Sequence, residues 1–343
     1  MVDSKGHEAR SPAEMPAPAW KDIAGRTYKR TWDDNIALVA AGVAFYGFFA
    51  LLSLLGLIVL VYGFVADPMT VIDHMQALTG ILPRDVAVII GDQLMNAVRA
   101  SEKTKGLGIL LAFLVATYGG TNGAASVITA LNIAYEEKEK RSLFRFYLLA
   151  VTMTLIALVV SLCAIGSAAA LAYLQHLVPE APPLLVIAGK MVGYLLLLLF
   201  AAGIASSLYR YGPAREDAQW KWITPGSLFA ALTWLLLTWA FGIYVGRFTD
   251  YNASYGSLGA VVALLTWMYL SAYAFIFGAE LNSEIEHQTA TDSTTGSPEP
   301  MGERGAWAAD NVATDDKVQD RPEEQREGDR LTQSTPKIAD EKG

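Results

Sequence analysis

Cysteine is nearly absent from this 343-residue chain: the single one, Cys163, rules out an intrachain disulfide. It sits inside an apolar block and reads as a small buried hydrophobe. Histidine is almost as scarce. His7, His74, His176 and His287 fall in a tail, an outer helix, an outer turn and a span end, too dispersed to share a metal. There is no glycine-rich phosphate loop ending in Lys-Ser/Thr, no His-Glu-x-x-His and no paired-cysteine spacing, so neither a built-in ATPase nor a familiar metal site is indicated. The start of the chain lacks the short apolar core and small-residue cleavage pattern of a secretory signal, and the first span is expected to be retained. Loops between the apolar blocks are short and leave no room for a soluble catalytic domain.

What the chain does have is hydrophobicity, 53% of residues, gathered in blocks between Ile36 and Glu280. A helix needs about 20 apolar residues to cross a bilayer's hydrocarbon core. Six blocks satisfy this, at about 36–65, 106–135, 143–174, 184–209, 223–248 and 255–280. The fold class expected is therefore all-α, a polytopic membrane bundle with about six transmembrane helices. Several blocks exceed what a perpendicular helix requires and should tilt.

Charge is placed unevenly. Of the net charge of −8, residues 288–343 hold 13 acidic and 7 basic residues, or −6. Rich in Pro, Glu, Asp, Gly and Ser, this tail reads as disordered, as does segment 1–19. The membrane domain is accordingly bounded at 20–287. Eleven Lys and Arg lie at one set of span ends (Lys21, Arg26, Lys29, Arg30, Lys138, Lys140, Arg141, Arg145, Arg210, Arg215, Lys221) and five at the other (Arg84, Arg99, Lys103, Lys105, Arg247). Basic residues stay on the cytoplasmic side of short loops, which places both termini in the cytoplasm.

Two segments outside the spans read as amphipathic interfacial helices. Trp20, Ile23, Thr27, Tyr28 and Trp32 share a helical stripe beside basic residues and suit an inner membrane face. Segment 67–105, with Pro83 opening its second half, would cover the outer mouth.

The polar residues within or beside the spans are the candidate site. Thr121 and Asn122 lie in TYGGTNGAAS, Thr117–Ser126, an easily bent stretch: Asn122 either ties two helices together, faces a wet cavity, or marks a local break in the helix. Lys190 either snorkels outward or lines a cavity. Glu280, with Asn282 close by, calls for a partner, and Arg210, Arg145 and Arg30 are the candidates; Asp33, Asp34 and Asn35 lie at the same level and suggest a polar clamp or a binding site. Tyr244, Phe248, Tyr251 and Tyr255 gather at the outer boundary, as a belt or as the floor of a groove. Glycine pairs Gly119/Gly123, Gly189/Gly193 and Gly242/Gly246 read as helix-packing sites. Glu136–Arg141, EEKEKR, reads as a solvated helix end.

These blocks resemble the YihY/BrkB family of bacterial inner-membrane proteins, once labelled ribonuclease BN. The resemblance covers about residues 20–286 and rests on VAFYGFFALLSLL, ITALNIAYEEKEKRSLFRF, LYRYGP and ASYGSLGAVVALLTWMYLSAYAFIFGAELNSEI. Where the family often has Pro in the first span, this chain reads Ser53-Leu54-Leu55-Gly56, so a kink there would depend on Gly56. The resemblance implies a six-span helical fold in the inner membrane and names no mechanism. RNA hydrolysis needs a placed acid and base or a metal-activated water, which the scattered loop charges do not suggest. The functional expectation is a non-enzymatic envelope protein, without cofactor and without nucleic acid, that moves or accommodates a lipid or other amphipathic molecule; a membrane scaffold or assembly factor is the alternative.

Overall fold

The computed structural model describes residues 5–65, 102–177, 183–247 and 257–313. After a short 3-10 turn, Pro12–Glu14, the elements are α1 (Ala17–Asp33), α2 (Ile36–Val65), α3 (Glu102–Ala134), α4 (Leu143–Leu177), α5 (Pro183–Tyr211), α6 (Trp220–Arg247) and α7 (Ser257–His287), followed by a helical turn, Trp307–Asp310. The all-helical, six-span expectation holds: α2 to α7 are each long and apolar enough to cross a membrane. Segment 67–105 lies outside the described residues except for the start of α3, as do Phe248, Tyr251 and Tyr255.

The spans pack mainly in the order α4, α3, α2, α7, α6, α5, so α4 and α5, adjacent in the chain, sit at opposite ends of the row. Small residues permit the close approaches. A Cβ on Gly119 would lie 2.9 Å from Ser53 Oγ, and one on Gly123 3.3 Å from Ala50, so this pair does seat α3 on α2. A Cβ on Gly193 or Gly242 would meet nothing within 4 Å, and those glycines serve no contact within the described fold. The tightest crossing, α6 on α7, was not anticipated: Gly226 and Gly278 face each other so closely that a Cβ on Gly226 would stand 2.2 Å from the Gly278 carbonyl oxygen.

Among the described residues the buried core gathers at one end. Ile36, Leu131, Tyr135, Tyr209, Ile223 and Ile276 pack together there, contributed by the start of α2, the residues ending α3, the end of α5, the start of α6 and the last third of α7. The same end gathers the basic loops, and it is called the basic end below. α1 lies across it, burying Ala19, Ile23, Thr27 and Thr31 while Tyr28 and Trp32 remain 63% and 67% exposed. The expected single stripe on α1 is therefore split: Ile23 and Thr27 turn inward, and Tyr28 and Trp32 face outward.

The boundaries expected at residues 19 and 287 need correction. Ala9 and Met15 pack with Ile23, Trp222 and Ile285, and the chain beyond His287 folds back over the basic end as far as Ala313. Hydrogen bonding adds to this apolar packing. Thr289 Oγ1 donates to the Ala9 carbonyl (2.7 Å), the Ala290 N–H to the His7 carbonyl (2.7 Å), and buried Arg304 to the carbonyls of Ala290, Glu299 and Ala309. Composition alone does not reveal such external partners. Residues 314–343 lie outside the described residues.

Candidate functional site

The basic end is built around two tight chain reversals. Asn35 separates α1 from α2 at φ 52°, a left-handed conformation that Asn tolerates, and its amide donates to the Asp33 carbonyl at 3.2 Å. α3 ends in a Schellman turn, with Glu137 N–H on the Asn132 carbonyl (2.8 Å) and Glu136 N–H on the Ile133 carbonyl (2.9 Å). The left-handed position, usually glycine, is Glu136 at φ 55°. Its carboxylate pairs with Arg30 across the bundle, so a conformation costly for a non-glycine residue coincides with a contact that a glycine would lack.

Four arginines are consumed by specific partners. Arg26 bonds Glu284 and Gln288, each at 2.6 Å, and Arg30 divides itself between Glu136 and Glu284 (3.5 Å to the latter). Arg215 grips Glu286 with two bonds, 3.2 and 2.6 Å, both side chains being essentially inaccessible. It also lies over the Tyr135 ring at 5.1 Å. Burial works against the Arg215 charge, but Glu286 alongside outweighs it and raises its pKa above the ordinary value. Arg210 bonds the Ala218 carbonyl, approaches Asp217 at 3.6 Å and lies over Trp220 at 4.8 Å, which fixes the loop between α5 and α6.

The run Glu136–Arg141 is structural rather than merely solvated. Asn132 clamps it, donating to Glu139 Oε2 (2.9 Å) while accepting the Ala214 N–H (2.7 Å), and Arg141 bonds Glu139 and the Gly212 carbonyl. Those Arg141 bonds hold the Glu139 carboxyl below the usual carboxylate range. Burial pushes Glu137 up, although it accepts the Trp307 N–H at 2.6 Å. The Trp307 ring in turn sits 4.9 Å from His287 and 5.2 Å from the Arg30 guanidinium, anchoring the returning chain.

Against this frame the sequence-derived candidates separate into two places. Asp34, Asn35, Arg210, Glu280 and Asn282 all belong to the basic end. Thr121 and Asn122 lie far along α3, half-buried, and the Asn122 amide donates to the Tyr118 carbonyl one turn back in its own helix (2.9 Å). α3 is continuous through this stretch. Asn122 therefore neither ties two helices together nor marks a break. Lys190 lies in α5, its side chain outside those described, and Tyr255 lies outside the described residues.

Asn282 bridges α7 to α6, and the reason is a proline. Pro225 inside α6 removes a helical N–H and disturbs the turn before it. Asn282, fully buried, accepts the Gly226 N–H (2.7 Å) and donates to the Ile223 carbonyl (2.8 Å), satisfying backbone groups at the irregularity from the neighbouring helix.

Glu280 departs from expectation. None of Arg210, Arg145 and Arg30 forms an ion pair with it: Arg210 and Arg30 are engaged elsewhere, and Arg145 is exposed on α4. Its neighbour is Asp34, an acid rather than a base. Sequence reasoning missed Arg215–Glu286, Glu284 and Trp307; the only available signal was the placement of Glu284 and Glu286 on one chain end with His287.

The family described as virulence factor BrkB matches residues 27–302. The chain belongs to that family. The matched range includes the end of α1 from Thr27, all six spans and the returning chain through Gly302, while Arg26, Arg304 and Trp307 fall just outside it. The ribonuclease-like protein YfkH of Bacillus subtilis is 28% identical over 181 residues, 51% of this chain and 66% of that protein. A UPF0761 membrane protein of Xanthomonas oryzae is 36% identical over 78 residues, 23% of this chain and 18% of its own length. The UPF0761 membrane protein Smlt0865 of Stenotrophomonas maltophilia is 35% identical over a stretch of the same length. The chain thus spans less than two thirds of each of these relatives. No solved structure matches.

Proposed function

We propose that this integral membrane protein of the BrkB family is a non-enzymatic transporter or accommodator of a lipid or other amphipathic molecule, sealed at the basic end and open to lipid further along its helices. The observation carrying this reading is α5. From Met191 to Leu197 seven consecutive residues are at least 40% exposed wherever a value is resolved, including Tyr194 at 65% and Met191 at 68%. Successive helical residues turn by about 100°, so such a run leaves every face of the helix unpacked. α3 behaves similarly between Leu110 and Tyr118, both of which are more than half exposed. In a bilayer these surfaces require apolar cover, and helices that separate while rooted at one end leave room for it.

The excess of Lys and Arg at the basic end supports a bacterial inner-membrane setting with both termini cytoplasmic. Most acids there are committed, Glu136, Glu139, Glu284 and Glu286 to arginines and Glu137 to the Trp307 N–H, which favours a structural role over the hydrolysis that the Bacillus relative's name suggests.

The test is reconstitution of the full chain in liposomes and measurement of transbilayer movement of labelled phospholipids. Movement above empty vesicles is expected, slowed by Gly193→Trp, which adds bulk where nothing lies within 4 Å. No movement for any headgroup overturns the reading in favour of a scaffold.

A further inference from the structure

Two neighbouring carboxyl groups at the basic end, Glu280 buried and Asp34 half-buried, form no ion pair among the described residues. Glu280 is 2% exposed and its Oε1 has no hydrogen-bond donor. Asp34 Oδ2 is likewise buried and without a donor. The two side chains are neighbours, one from the α1–α2 turn and the other from the last third of α7.

The charged and titratable groups facing the pair come from every side. α1 offers Arg30, already shared by Glu136 and Glu284; the turn adds Asp33; α7 adds Glu284, itself held by Arg26; α3 adds the Tyr135 hydroxyl, buried and unpartnered. α2 has no charged side chain at all. Positive charge near the pair is thus spent on other acids, and two neighbouring carboxylates, one of them buried, repel each other strongly. A hydrogen bond between them needs one donor, and a single proton supplies it.

We propose that Asp34 and Glu280 form a proton-binding site, one proton shared between the two carboxyl groups at neutral pH and tying the α1–α2 turn to α7. Burial raises the Asp34 pKa, in keeping with this occupancy. Release of the proton leaves two adjacent negative charges at the junction that closes the basic end, so occupancy and closure of that end are coupled. The site stands whether or not the protein moves lipid.

The experiment is infrared spectroscopy of the full chain in liposomes at neutral pH, in H2O and D2O, for wild type, Asp34→Asn and Glu280→Gln. Each amide supplies a donor without a proton and preserves shape. Wild type is expected to show the carbonyl stretch of a protonated carboxyl group, shifted in D2O, and both variants are expected to lose it. Thermal unfolding gives an independent reading. A carboxyl group that holds its proton more firmly when folded contributes stability below the unfolded value and loses it as pH rises through the folded one. The wild-type midpoint should therefore fall as pH rises above the ordinary carboxyl range, and both variants should flatten that fall. Absence of the stretch, its survival in either variant, or a sodium-dependent rise in midpoint that both variants abolish overturns the shared proton.

Discussion

Replacing Arg215 with Ala tests whether the loop between α5 and α6 is locked to α7 by one buried ion pair. Arg215 and Glu286 are 1% and 0% exposed and joined by two hydrogen bonds, with Ser293 Oγ donating a further one to Glu286 at 2.7 Å. Removing one member of such a pair strands the other charge, at a cost of about 3–5 kcal/mol. Loss of the contact with the Tyr135 ring adds to this, whereas the remaining Ser293 hydroxyl moderates it, so about 3–5 kcal/mol is expected overall. The double variant Arg215→Met/Glu286→Leu should recover most of the loss, because a buried pair is commonly no more stabilising than apolar side chains of similar volume. The assay is equilibrium unfolding of the purified full chain in mixed micelles with increasing denaturing detergent, in a double-mutant cycle. A single-variant loss below about 1 kcal/mol, the value of an exposed pair, refutes the reasoning. So does a double variant no more stable than Arg215→Ala.

Three further outcomes follow from the geometry. Asn282→Ala should cost about 1–3 kcal/mol for the buried Gly226 N–H it leaves without its acceptor, and Gly226→Val should sharply lower folded yield, since its Cβ would fall 2.2 Å from the Gly278 carbonyl oxygen; detergent-stable yield and unfolding midpoints measure both. Glu139, whose carboxyl Arg141 holds below its ordinary value, contributes stability above the unfolded carboxyl range that disappears as pH falls through its folded value. Glu139→Gln should therefore flatten part of the acid limb of the stability profile, and an unchanged limb refutes that contribution.

Between sequence and structure, the difference lies in which interactions are local. Apolar blocks long enough for a bilayer announce themselves, and α2, α4 and α5 begin within a residue of where the blocks do. Asp34, Asn35, Glu280, Asn282 and Arg210 were legible as one level of the bundle, because each stands at a span end of known direction. The clamp by Asn282 could be suspected but not its target, since Pro225 and Gly226 lie on another helix. Asn122 misled because a helical amide has a neighbouring carbonyl within reach, and sequence cannot tell that bond from one across an interface.

By itself the sequence determined the helical class, the number of spans and the gathering of positive charge at one set of ends, all consequences of residue-by-residue transfer free energies and loop charge. Only the tertiary structure decided which arginine meets which acid, that the polar chain after His287 returns to cover the basic end, and that Asp34 and Glu280 are left facing each other. Those outcomes depend on hydrogen-bond partners far apart in the chain, and polar residues declare the need for a partner without declaring which one.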